Sequence, residues 1–157
     1  MRALLYILVG IALANASLAA ERRSWNKIHY VGGTIPIKTS PYDWNAKLTV
    51  TANPSFIEIV ISPAKLFAPQ QTVKLDPSQV VSLSGGPAAW RHVADVSGAQ
   101  LPSKPPSLFG ILQDNALLGI VYETGGKREA ILLDSLLTWQ ILPVLRRVTG
   151  KTIEDSP

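Results

Sequence analysis

Apolar and polar residues alternate with a period of two over most of the chain, and the period changes to about 3.6 in the last quarter. Lys47 to Thr51 alternates in this way. After the turn dipeptide Asn53-Pro54, the run Phe56 to Ser62 is rich in β-branched residues, so the two segments predict a hairpin. Thr72 to Asp76, then Pro77-Ser78-Gln79, then Val80 to Ser84 predict a second strand, turn, strand unit that Gly85-Gly86-Pro87 ends. Leu117 to Tyr122 and Glu129 to Leu133 flank Glu123 to Lys127, whose paired glycines suit a tight turn, and predict a third hairpin. Ile28 to Val31 and Thr34 to Lys38 flank Gly32-Gly33, with Pro36 restricting the second run to an edge. The pattern amounts to about seven or eight short strands.

Beyond Leu133, Asp134 or Ser135 can cap a helix in which Leu137, Ile141, Leu145 and Val148 share one stripe, with Arg146 and Arg147 in its last turn and Gly150 as its stop. Pro143 lies inside this helix and predicts a kink or a split. Trp139 and Leu142 fall off the stripe. Either both sides of the helix pack inward, or one apolar face is left for a partner. The stretch from Ser97 to Asn115, with Pro102, Pro105 and Pro106, reads as one long excursion. Within it Leu108, Phe109, Ile111 and Leu112 form either a short strand or an apolar tip that touches a membrane or partner.

The N-terminus changes the picture from fold to address. Arg2, the apolar run Ala3 to Leu13 and the small residues Ser17, Ala19 and Ala20 make a secretory leader, too short in its apolar part to span a bilayer. Cleavage after Ala19 places Ser17 and Ala19 at the positions the peptidase reads, so the mature chain starts at Ala20 or Glu21. About 137 residues remain, enough for one domain with its own core. The whole chain has 15 Lys and Arg against 11 Asp and Glu, and losing Arg2 leaves a mature charge of +3. That is weak for a nucleic-acid binder, and none is expected as a partner. There is no cysteine, which excludes disulfides, thiolate metal sites and a lipidated cysteine at the cleavage point. Asn53-Pro-Ser carries the forbidden proline, so no glycosylation acceptor follows the leader. The address is periplasmic or extracellular, without a transmembrane segment in the mature chain.

Short antiparallel strands followed by one C-terminal amphipathic helix, with the Asp-Pro-Ser turn between Thr72 and Ser84, resemble bacterial members of the pleckstrin-homology-like superfamily, including GRAM-type domains. The resemblance is architectural and covers Ile28 to Gly150. It implies a mainly β fold, a partly open antiparallel barrel with the helix plugging one end, so that Leu137, Ile141 and Leu145 face its interior. Lipid-binding members use basic residues in the loop joining their first two strands. The nearest positions here hold Gly32, Gly33 and Lys38, so the resemblance implies a generic binding or scaffolding module. The alternative fold is a small β-sandwich with an appended helix. The chain then divides into leader 1–19, N-terminal segment 20–27, domain 28–150 and tail 151–157.

Catalytic chemistry finds little support. His29 and His92 are the only histidines and have no metal-binding spacing, so no cofactor or metal is expected. Ser82 to Gly86 shows the end of a nucleophile elbow without its first glycine or a following helix. Asp43, Asp76, Asp95, Asp114 and Asp134 stand near turns and caps, where Asp bonds local backbone. Tyr42, Asp43 and Trp44 form the candidate recognition surface, with an aromatic plug over the barrel end as the other reading. Trp25, Trp90 and Trp139 read as core or semi-core. The expectation is a non-catalytic exported binding or scaffolding module whose partner is a protein, lipid or glycan of the envelope. The alternative is a small exported hydrolase or hydrolase inhibitor, which requires His92 and Ser84 to converge.

Overall fold

The computed structural model describes residues 21–40, 43–65, 68–96, 98–101 and 116–155. The leader positions Ser17, Ala19 and Ala20, the ring of Tyr42, and Leu108, Phe109, Ile111 and Leu112 lie outside them. The fold is mainly β: among the described residues eight strands form one mixed, open sheet, with two helices. The strands are β1 (Arg22–Gly33), β2 (Ala46–Ala52), β3 (Ser55–Ile61), β4 (Gln71–Leu75), β5 (Val80–Gly85), β6 (Leu117–Thr124), β7 (Lys127–Asp134) and β8 (Ile153–Asp155). The helices are α1 (Gly86–Ala94) and α2 (Thr138–Thr149). The order across the sheet is β4-β3-β2-β1-β7-β6-β5-β8.

Alternation and turn chemistry account for two hairpins. β2 and β3 pair from Ala46 with Ile61 to Ala52 with Ser55, and β6 and β7 pair from Leu117 with Asp134 to Thr124 with Lys127. Gly125 and Gly126 both adopt positive φ at the second turn, +56° and +75°, which side chains resist. Strands β4 and β5 do not pair with each other: β4 joins β3, and β5 joins β6 and β8. Asp76 explains the separation. Its carboxylate accepts from the Ser78 N–H at 2.9 Å while Gln79 Oε1 accepts from the Asp76 N–H at 2.8 Å. This capping box turns Pro77–Gln79 into a 3₁₀ turn that carries the chain across the opening of the sheet.

Long β1 replaces the expected strand pair around Gly32-Gly33. The strand takes in the segment 22–27, and Thr34 to Lys38 is irregular. Pro36 lacks a ladder donor, and the Ile37 N–H turns back onto the Ile35 carbonyl at 2.9 Å. A bulge between Trp25 and Ile28 lets β1 serve two partners, β2 along its first half and β7 from His29 onward. The end of the chain is not merely a tail, since Ile153–Asp155 adds to β5 in parallel.

The two faces of the sheet carry different cores. The larger contains Trp25, Ile28, Leu48, Ile57, Ile59, Leu83, Ile120 and Ile131, closed by Ile141, Leu142, Val144 and Leu145 of α2. Helix α2 therefore packs on its Ile141 and Leu145 stripe, with Leu137 and Val148 half-buried at its ends. Helix α1 follows β5 directly, where the sequence reading expects no helix after Ser82 to Gly86: it starts at Gly86, and Pro87 occupies the first turn, where its missing N–H costs nothing. Ala89 and Val93 then pack with Leu117, Val121 and Leu132 in the smaller core. Gly119 permits the close approach, because a Cβ there would meet Ala89 Cα at 3.1 Å and Ser84 Oγ at 2.5 Å.

Pro143 does not split α2, which runs as one helix from Thr138 to Thr149. It lies on the exposed side, where water can satisfy the carbonyl its ring leaves free. Nor is Asp134 or Ser135 the cap. Asp134 ends β7, and Ser135 fixes the approach, donating from Oγ to the Lys27 carbonyl at 2.9 Å and accepting from the Leu137 N–H at 3.1 Å. Gly150 closes the helix at φ +69° with its N–H on the Arg146 carbonyl.

Candidate functional site

The outer face of α2 is where the chain leaves large apolar groups in water. Positions 139, 143 and 146 recur at helical spacing on the side of α2 opposite Ile141 and Leu145, and position 136 lies in the turn that precedes the helix. They hold Leu136, Trp139, Pro143 and Arg146, with Leu136 71% and Trp139 70% exposed. Trp139 is thus not a core residue. Trp25 is buried at 8%, and Trp90 packs beside the smaller core. A lone exposed Leu is ordinary, but an exposed Trp and Pro one helical turn apart, with Leu136 exposed in the turn before them, make a surface of the kind that contacts other molecules.

A cleft of about 540 Å³ lies between this ridge and β1, lined by Arg23, Ser24, Trp25, Trp139, Gln140 and Pro143 among others. A second cleft of about 410 Å³ shares Pro143 and continues past Arg146, Arg147 and Lys151. The path runs from an aromatic end to a basic one. Among the described residues Glu21 is the carboxylate bonded to its basic groups: its Oε1 accepts from Arg23 Nη2 and from Arg147 Nη2, each at 2.9 Å. Arg147 foremost, then Arg23, hold the Glu21 carboxyl below the ordinary carboxylate range. Two guanidinium groups share one acid, so the path keeps a net positive charge. It offers ring faces, a guanidinium fork and amide groups, the equipment of recognition.

Of the recognition loop singled out in the sequence, Asp43 is exposed and Trp44 is 45% exposed. Buried His29 and Asn45 pin this loop from below. The Asn45 Oδ1 accepts from the Tyr30 N–H at 2.8 Å, and its Nδ2 donates to the Ser40 carbonyl at 3.1 Å. His29 Nδ1 stands 3.1 Å from the Asp43 carbonyl and 3.0 Å from Asn45 Nδ2. Protonated, it donates to the carbonyl; bare, it accepts from the amide. Burial pulls the His29 pKa down, opposed by the Asp43 carbonyl bond and carboxylate.

The groups a hydrolase would use stand in other arrangements. Ser84 is fully buried under α1, and its Oγ has no hydrogen-bond partner. His92 instead places Nε2 3.2 Å from Glu154 Oε2 on β8. His92 does line an open cleft of about 740 Å³ with Ser82, Asp95, Lys127 and Arg128, a wide depression with charges of both signs. Among the described residues no group of three His, Asp or Glu side chains is placed to hold a metal ion.

Asp134 departs from the expectation of a turn or cap. It is 1% exposed, sits in register between His29 of β1 and Leu117 of β6, and both carboxylate oxygens lack a hydrogen-bond partner. Desolvation pushes its pKa up to about 6. Sequence reasoning missed this group because a strand-final Asp before a helix looks like a cap. It left open whether the second face of α2 packs inward or serves a partner, because the helix is apolar on most sides and only tertiary packing selects the side left in water. Comparison with family models, curated proteins and solved structures gives no match to this chain, and the candidate site stands on its geometry.

Proposed function

We propose that this chain is a non-catalytic, exported binding or scaffolding module of the cell envelope, which captures its partner on the outer face of α2. The observation that carries the reading is the exposure of Trp139, which lines the cleft to Trp25, together with that of Leu136 in the turn before α2. Burying two such side chains on a partner would contribute several kcal/mol, the scale of an interface hot spot. The leader pattern supports export. Among the described residues no helix is long and apolar enough to cross a membrane. A mainly β fold with a C-terminal helix packed on one face of the sheet supports the likeness to pleckstrin-homology-like domains, to whose plan α1 and β8 would be additions.

Two measurements test this reading. The protein recovered from its own cells should begin at Ala20 or Glu21; recovery only with Met1 intact would contradict export. The double variant Leu136→Ser with Trp139→Ala should keep its unfolding free energy within about 0.5 kcal/mol of the parent, since both side chains are in water. In native gels of gently extracted envelopes it should run free, where the parent runs in a larger species. A double variant that stays associated like the parent would remove the α2 ridge from the function.

A further inference from the structure

Among the described residues, the first half of β1 has a strand partner on one edge alone. Its partner on one side is β2, from Arg22 with Thr51 to Trp25 with Leu48. On the other side β7 pairs only from His29 onward, because the chain leaves β7 at Asp134 and turns into α2. The Ala52 N–H bonds to the Glu21 carbonyl at 3.0 Å, which fixes the alternation of the ladder. Residues 21, 23 and 25 turn their backbone groups toward β2, and Arg22 and Ser24 turn theirs to the open side. The cleft between β1 and Trp139 lies along this edge, with Ser24 and Trp25 in its wall.

We infer that the partner enters this cleft as an extended, acidic peptide segment that pairs with the open edge of β1; the inference rests on the binding reading above and specifies its ligand. Three features select this occupant. An unpaired strand edge offers alternating N–H and C=O groups, which an extended chain satisfies and a lipid surface or glycan does not. Trp25, Trp139 and Pro143 supply apolar walls for a side chain of the incoming strand. Arg23 of β1 lines the cleft and Arg146, Arg147 and Lys151 line its continuation, while among the described residues Glu21 is the carboxylate that bonds Arg23 and Arg147, so the charge to be matched is negative. From Trp139 to Thr149 the helix rises about 15 Å, the span of about four or five extended residues.

The test is a selection of peptides of about ten residues, displayed on phage, against the immobilised mature chain. The expected winners carry Asp or Glu around an aromatic or branched apolar residue. A winner N-methylated at alternate residues should bind at least about tenfold more weakly in one of the two phases and unchanged in the other, the signature of a strand bonded along one edge. Ser24→Pro removes an outward N–H and should cost about tenfold or more, whereas Ser24→Ala, which loses only the bond to Thr49 Oγ1, should keep binding. The N-methyl series decides the matter independently if the proline variant unfolds. Arg146→Glu with Lys151→Glu should weaken binding by about tenfold at low salt and less at high salt.

Winners without acidic bias, or indifference to N-methylation in both phases, would overturn the inference. Binding to phosphatidylglycerol vesicles with no peptide selected would replace it with a lipid surface, and dimerisation abolished by Ser24→Pro would replace it with a second copy of the chain. An empty selection together with loss of envelope association in the Leu136, Trp139 variant would defeat the peptide and leave the binding reading standing.

Discussion

Ile141→Asp should lower the unfolding free energy by about 4 kcal/mol or more, whereas Ile141→Leu should cost less than about 1.5 kcal/mol. Ile141 has no exposed surface and lies in the larger core, where α2 meets the interior face of the sheet. The Asp variant loses a buried aliphatic side chain and buries a carboxylate with no cation to meet it. The Leu variant conserves volume and apolar character. Urea unfolding followed by the fluorescence of buried Trp25 measures both. A loss below about 0.5 kcal/mol for the Asp change would mean that α2 does not close this core.

Asp134→Asn should stabilise the protein at neutral pH and leave it little changed in acid. In the folded chain the Asp134 carboxyl has its pKa raised from 3.8 to about 6, and desolvation is the cause. Between these values the unfolded chain has released the proton that the folded chain still holds. Stability therefore falls as pH rises through this window, and the loss is complete above about 6. The shift corresponds to about 3 kcal/mol, so the Asn variant should gain about that much relative to the parent between about pH 3.5 and pH 7.5. His29 acts in the opposite sense, because its lowered pKa makes stability rise with pH toward the ordinary imidazole value. It titrates in both proteins and cancels in the difference. Parallel curves for parent and variant across this range would show that Asp134 is solvated or paired.

These two residues also mark how far the sequence could be read. Ile141 was legible because the stripe through Leu137, Leu145 and Val148 repeats at the helical period, and any fold that buries one face of α2 buries that one. The β2–β3 and β6–β7 hairpins were legible from short runs of strand-forming residues on both sides of a turn that Asn53-Pro54 or Gly125-Gly126 would make. Asp134 was not, since its register with His29 and Leu117 is a long-range fact. Helix α1 was hidden by a local ambiguity: Gly-Gly-Pro ends a strand as readily as it starts a helix, and the tertiary contact at Gly119 decides. The separation of β4 from β5 was hidden likewise, because Asp76 and Gln79 serve a tight hairpin turn or a capped 3₁₀ turn with the same residues.

The candidate site follows the same division. Trp44 was identified from turn-forming neighbours and is half-exposed on a loop held by His29 and Asn45. Trp139 was assigned inward because aromatic residues in amphipathic helices commonly pack. Its exposure depends on where the sheet stops, and β7 stops at Asp134. The open edge of β1 arises from the same stop, so the ridge and the edge have one structural cause.

The central claim is that the face of α2 beside β1 is the surface on which a partner sits. A photo-crosslinking residue placed singly at positions 139, 44, 92 and 127 in the chain expressed in its own cells tests it most directly, because those sites sample the α2 ridge, the Trp44 loop and the His92 cleft. The account predicts a discrete crosslinked product from position 139, with little from the other three. Products from position 44, or from 92 and 127, in the absence of any from 139 would contradict it and move the binding surface to another part of the molecule.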